Sequence, residues 1–153
     1  TGGNSSALVD AAAAAVVASG AYAKANGKQP LARIVGAAAV GVPPEIMGIG
    51  PAPAIRLLLE RTGLKLDDIG RFEINEAQGA QTLAVGKELG LDLAKLNVNG
   101  GAIALGHPLA ATGVRLTITV AREMQRAGVK YGVSSACVGG GQGIALLLEN
   151  PAA

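Results

Sequence analysis

From residue 31 onward, short apolar runs alternate with amphipathic segments, and three of those segments stop at a glycine: Gly63, Gly90 and Gly128. Glycine accepts the left-handed conformation that ends a helix, so the pattern predicts helices alternating with strands, and strands joined through a helix pair in parallel. "LARIVGAAAVG" (31–41), "RFEIN" (71–75), "KLNVN" (95–99), "YGVSSAC" (131–137) and "GIALLLE" (143–149) read as strands. "AIRLLLERTG" (54–63) and "EAQGAQTLAVGKELG" (76–90) read as helices, and so does the segment opened by Pro108. That third helix carries Leu109, Gly113, Leu116, Val120, Met124 and Ala127 at spacings of three and four. The expected fold is α/β, in the order βαβαβαββ: a mixed sheet covered by helices. "VPPEIMGIGPAP" reads as a loop. The opening "TGGNSSALVDAAAAAVVASG" is ambiguous: Asn4 and Ser5 suit a helix cap, while "AAAAAVVAS" suits either a helix or a buried strand.

The chain has 153 residues, enough for one domain with a substantial core, and half of them are hydrophobic. Only Tyr22, Phe72 and Tyr131 are aromatic, so the core must come from small side chains and closely approaching backbones. A net charge of +2 without a basic stripe, combined with so few aromatics, argues against nucleic acid as a partner. Every apolar run is broken well short of a membrane span. The single cysteine forms no internal disulfide and suits a reducing compartment, which makes the cytoplasm the expected location. One histidine and one cysteine are too few for a zinc site, so no metal is expected. "GIGPAP" lacks a dinucleotide fingerprint and "GGGQG" lacks the lysine of a phosphate loop.

Three polar spots fall at the ends of expected strands, where open α/β sheets place their sites. They are Asn75 with Glu76, His107 after "NVNGGAIALG", and Cys137 after "YGVSSA". Singly, each is more often structural: a satisfied histidine, a small buried thiol, a helix cap. Together with the glycines at 139–141 and 143 they say more. Bare backbone N–H groups can face a developing oxyanion, and an imidazole can share a proton with sulfur, a set that acyl transfer uses.

The stretches "TGGNSSALVDAAAA", "MGIGPAP", "INEA", "NVNGGAIALGHPLAATG" and "SSACVGGGQGIA", in this order, resemble the C-terminal half of thiolases, the acetyl-CoA acetyltransferase and 3-ketoacyl-CoA thiolase group. The resemblance implies one half of a five-layered αβαβα core. Residues 30–153 would be the C-terminal thiolase domain and residues 1–29 the tail of the N-terminal half. It also implies roles: His107 would activate a nucleophilic cysteine and polarise a thioester oxygen, and Asn75 would hold the water completing that oxyanion hole. Cys137 would be the general acid/base, and Gly139 would offer its N–H to a second oxyanion hole. Gly106, Pro108 and Gln78 would be substrate-binding, the first two also setting the backbone around the imidazole and Gln78 bordering the pantetheine or acyl pocket. Coenzyme A thioesters would be substrates, with no permanently bound cofactor. The full-length form would be a homo-oligomer.

Two departures stand out. The only cysteine aligns with the acid/base motif, so the acylated nucleophile lies outside this sequence, and the chain is expected to be inactive without an N-terminal half. Gln78 and Gly79 stand where many members carry an aromatic. Two other readings compete: a thiolase-fold interaction module without chemistry, and a hydrolase or acyltransferase using Cys137 as nucleophile, which lacks an evident carboxylate to orient His107.

Overall fold

The structure, a computed structural model, describes residues 1–153. Its elements are α1 (Gly20–Ala25), β1 (Arg33–Gly41), α2 (Pro51–Thr62), β2 (Ile69–Ile74), α3 (Gly79–Leu89), α4 (Ala102–Leu105), α5 (Leu109–Ala127), β3 (Tyr131–Val138) and β4 (Gln142–Glu149). All three glycine stops end helices as expected: Gly63, Gly90 and Gly128 follow α2, α3 and α5 with φ of 69°, 68° and 64°. Pro51 opens α2, where its missing N–H costs nothing. Part of the expected "VPPEIMGIGPAP" loop is a 3-10 turn, Pro44–Ile49, leading into that helix.

The strands form one mixed sheet of four in the order β1-β4-β3-β2. β2 and β3 are parallel, and β4 is antiparallel to both β3 and β1. Strand alternation sends Phe72, Ile74, Val133, Ala145 and Leu147 to one face, where they pack with Ile55, Leu58 and Leu59 of α2 and Val85 of α3. Leu148 faces the other way, against Val120, Ala121 and Met124 of α5. Helices therefore cover both faces. Small residues set how closely these layers meet. A Cβ on Gly143 in β4 would lie 2.0 Å from the Gly50 carbonyl oxygen, so the turn before α2 touches the strand backbone directly.

Two expectations are corrected. "KLNVN" is not a strand: Leu93–Lys95 is a 3-10 turn, and Leu96 makes only an isolated parallel bridge to Phe72. The chain crosses here from the α3 face to the α5 face around the β2 edge. Asn97, at φ 45°, ends the pairing. Its side chain takes over where the ladder stops, with Oδ1 accepting from the Ile74 N–H and Nδ2 donating to the Ile74 carbonyl, both at 2.9 Å. The βαβαβαββ order thus loses its third strand. The alanine-rich opening is neither helix nor strand up to Ser19, which caps the short α1. Val16 and Val17 are 95% and 77% exposed, so the second part of that segment packs on nothing in this chain.

Gly143→Ala is expected to lower the unfolding free energy by about 1–3 kcal/mol, because neither backbone can yield as a flexible side chain would. Gly113 sits inside α5 with nothing within 4 Å of an added Cβ. Gly113→Ala is therefore expected to raise stability by about 0.5–1 kcal/mol. Urea denaturation of both variants against the parent chain checks these opposite signs.

Candidate functional site

α5 runs antiparallel to β3, with Arg115 near Asn75 at its start and Val120 and Met124 against Gly132 further on. Its N-terminus therefore lies at the edge where β2 and β3 both end. Asn75 follows β2 directly and donates its backbone N–H to the Ser135 carbonyl at 2.9 Å. Cys137 lies two residues beyond Ser135 on β3. Asn75, His107 and Cys137 thus share one edge of the sheet, as expected.

His107 is held from both sides. Its backbone N–H donates to the Ala7 carbonyl at 2.8 Å, and its Nδ1 lies 2.6 Å from Thr112 Oγ1 in the first turn of α5. The Thr112 hydroxyl donates to the Pro108 carbonyl at 3.2 Å, which makes its oxygen the acceptor for an Nδ1–H. Nε2 is then the free, lone-pair nitrogen. Burial lowers the imidazole pKa, and the Arg115 charge lowers it further, so the ring is a neutral base at neutral pH. Leu8, Val9, Asp10 and Ala11 of the opening segment face His107 and Pro108 across a groove of about 480 Å³. Gly106, at φ 91°, permits that approach: a Cβ there would lie 2.4 Å from Val9 Cγ2. Pro108 is the residue before the first helical turn of α5, at φ −75° and ψ 94°, rather than its first helical position.

Asn75 is 1% exposed. Its Oδ1 faces Arg115 Nη2 at 3.5 Å, and its Nδ2 is buried without a protein acceptor. Beneath it, Glu73 pairs with the same guanidinium at 3.6 Å from Nη1. Burial pushes the Glu73 carboxyl up to about 7; Arg115 opposes the rise, while Glu76 and Glu123 add to it. Glu76 itself braces the His107 loop: Oε1 accepts from Asn97 Nδ2 at 3.0 Å, and Oε2 accepts from the Ile103 N–H at 3.1 Å.

Cys137 is buried, and burial raises its thiol pKa against a smaller lowering by its own backbone N–H. A protonated thiol suits proton transfer better than nucleophilic attack, which needs the thiolate. The His107 ring is hydrogen-bonded to Thr112 and not to Cys137. Gly139 is exposed in the β3–β4 turn, its carbonyl accepting from Gln142 Nε2 at 3.3 Å and its N–H engaged by no backbone bond. Gln78 lies outside the groove, exposed at the start of α3 and bridged to Ser5. The structure thus gathers His107, Pro108, Gly106 and Asn75 around the start of α5, places Cys137 and Gly139 along the same edge, and leaves Gln78 apart. Thr112, Arg115 and Glu73 were not singled out from the sequence. Thr112 and Arg115 lie three apart on the half-buried side of α5, a spacing that merges into its apolar stripe, and Glu73 merges into the alternation of β2, so none carried a separate signal.

Residues 28–150 match the family model for the thiolase C-terminal domain. The chain belongs to the thiolase family. It is 55% identical to the bovine mitochondrial 3-ketoacyl-CoA thiolase over 99% of its own length, and 53% identical to an acetyl-CoA acetyltransferase of Pseudomonas aeruginosa over 97%. It spans only 38% of the length of either. The crystal structure of human mitochondrial 3-ketoacyl-CoA thiolase superposes with a TM-score of 0.91 at 48% identity, over 98% of this chain and 38% of that one. A structure of the human enzyme in complex with CoA matches equally well. Such relatives, some named mitochondrial and others bacterial, span more than one compartment. No helix here is long and apolar enough to cross a membrane.

The Glu73 shift has a definite sign. In the unfolded chain this carboxyl ionises near its ordinary 4.5, whereas in the folded chain it keeps its proton to about 7. Between those values the folded state binds the extra proton, so raising the pH costs stability. Across that window the parent chain is expected to lose about 3 kcal/mol relative to Glu73→Gln, as measured by paired urea denaturation curves.

Proposed function

We propose that this chain is the C-terminal catalytic half of a thiolase, acting on acyl-CoA thioesters by thiolysis of 3-ketoacyl-CoA or by Claisen condensation. The observation that carries this reading is His107: neutral, fixed through Nδ1 by Thr112, and with Nε2 left free beside the groove. In this reading Nε2 takes the proton from a cysteine thiol of the N-terminal half. The sulfur attacks the thioester carbonyl carbon, and the tetrahedral oxyanion is stabilised by the imidazole together with a water held by Asn75 Nδ2. Collapse expels the CoA thiolate and leaves an acyl-enzyme on the other half. In condensation Cys137 then takes the proton off the α-carbon of the incoming acyl-CoA, whose carbanion attacks the acyl-enzyme and expels the other half's cysteine thiolate, which regains its proton from the imidazole; thiolysis runs these steps in reverse, the cysteine attacking the 3-keto carbon and Cys137 protonating the departing α-carbanion. The Gly139 N–H stabilises the second oxyanion, Gly106 and Pro108 shape the backbone around the imidazole, and Gln78 borders the acyl or pantetheine pocket. No bound cofactor is required.

The domain division proposed is residues 1–29 with the N-terminal half and residues 30–153 as the C-terminal domain. The opening segment supports it, since its contacts with the remainder concentrate at Ala7, Val9 and the neighbourhood of Gln78. Leu8, Val16, Val17, Leu105 and Leu109 are exposed apolar side chains near or within the segments flanking the groove. Their exposure supports a missing half as partner and a homo-oligomer in the complete form. We place its action in the cytoplasm on the ground of its unpaired thiol.

Intact mass after incubation with acetyl-CoA tests the reading, with the chain alone and mixed with an N-terminal thiolase half. The expected result is acetylation only in the mixture, carried on the partner and surviving Cys137→Ala. Acetylation of this chain alone, lost in Cys137→Ala, would make Cys137 the nucleophile instead. A stable complex without acyl transfer would leave an interaction module. In the mixture, His107→Ala is expected to slow acetylation by about 10²–10⁴-fold, the range of a lost general base. Thr112→Val is expected to slow it by about 10-fold with little change in the acetyl-CoA concentration needed, since the ring is mispositioned rather than removed. Stopped-time mass spectra read both.

A further inference from the structure

The Asn75 amide has two ends, and nothing in its own backbone decides which end faces the site. Arginine donates through every nitrogen and accepts through none, so the end of the amide that meets a guanidinium must be the oxygen. Arg115 Nη2 lies 3.5 Å from Asn75 Oδ1, and Arg115 Nη1 is in turn paired with Glu73 at 3.6 Å. Asn75 and Glu73 are 1% and 2% exposed, so water cannot readily exchange for either contact. With its oxygen turned to Arg115, Asn75 Nδ2 points away from it, buried and without a protein acceptor. A buried amide donor of this kind is costly to leave unpaired.

We infer that Arg115, held by Glu73, is a positioning residue that sets the donor end of Asn75 toward the acceptor oxygen at the His107 site. The inference rests on the proposed thiolase reading for its catalytic consequence, and on the amide geometry alone for its structural one. Arg115 touches no reacting atom in this scheme; it acts through Asn75. The chemistry recognised is an acceptor oxygen, from a thioester carbonyl or from the water bound to it.

The test compares Arg115→Gln with Arg115→Lys. Glutamine presents both a donor and an acceptor and so ceases to dictate the amide orientation, whereas lysine remains donor-only. In the mixture with an N-terminal thiolase half, Arg115→Gln is expected to lower kcat by about 10- to 100-fold with KM changed less than about twofold. Arg115→Lys is expected to recover most of that loss at a matched unfolding temperature. Activity that instead follows the unfolding temperatures of the two variants would overturn the inference, as would an unchanged kcat in Arg115→Gln while His107→Ala abolishes transfer. Should His107→Ala retain full transfer, the thiolase reading itself falls. The orientation is still decided in the chain alone, by the side-chain amide NMR signals of Asn75: a shift in Arg115→Gln and near-parent positions in Arg115→Lys are expected, and identical signals in all three proteins would refute the positioning role.

Discussion

The parallel pairing of β2 with β3 is the constraint on which the rest of the molecule depends. Two parallel neighbours cannot be joined by a tight turn; the chain must return the length of the sheet before starting the second strand. Here the return leg that packs on the site face is α5, which runs antiparallel to both strands. A helix returning in this way begins at the edge where its strands end. Asn75 closes β2, His107 precedes α5 and Cys137 lies near the end of β3, so one topological requirement brings together residues separated by tens of positions. Closeness of the layers then follows from side-chain size: Gly132 lets Val120 and Met124 onto β3, and Gly143 lets the turn at Gly50 onto β4.

Two buried carboxylates on the α5 face show how hydrogen bonding decides the outcome of burial. Desolvation raises the pKa of both Glu73 and Glu123. Glu123 ends near 2, because Arg126 and Arg71 donate to it at 2.7–3.1 Å and Asn99 adds a further bond at 3.1 Å. Glu73 ends near 7, because its one cation stands at 3.6 Å and forms no hydrogen bond with its Oε2. Two side chains of similarly low exposure are thus an anion that ties α5 to β2 and the 97–101 loop, and a carboxyl that burial without a close cation leaves poised to exchange its proton near neutrality.

The fold was largely legible in the sequence because its signals are local. Gly63, Gly90 and Gly128 mark helix ends through a backbone conformation that needs no tertiary context, and the short apolar runs of β3 and β4, separated by the glycines at 139–141, mark the strands. The errors arose where long-range packing decides. "KLNVN" has strand composition, yet it serves as the crossing point around an edge, and one asparagine side chain replaces the ladder. Residues 12–19 of the alanine-rich opening have helical propensity and are exposed along their whole length, with no surface of this chain to fold against. At the site, His107, Asn75 and Cys137 were legible from motifs and strand ends. Thr112, Arg115 and Glu73 were not, because each matters through a neighbour in space and their spacing merges into the apolar stripe of α5 and the alternation of β2.

The distribution of satisfied and unsatisfied polar groups separates the two ends of the sheet. At the far end of α5 the buried polar groups are matched: Glu123 has its three partners, and Asn150 bonds the carbonyls of Val129 and Met124. At the near end, Asn75 Nδ2 and Arg115 Nε are buried without hydrogen-bond partners, and Glu73 Oε2 and Arg115 Nη1 meet only as an ion pair too long, at 3.6 Å, for a hydrogen bond, with the Arg115 charge felt by His107. Folding of this chain alone would favour the opposite arrangement, since each unpaired buried group costs about 1–3 kcal/mol. Stability does not explain why such groups collect at one edge, close to the groove and within reach of a neutral imidazole. Incompleteness on that edge fits the proposed reading of half a site, in which a second protein surface and a ligand with acceptor oxygens would supply the remaining partners.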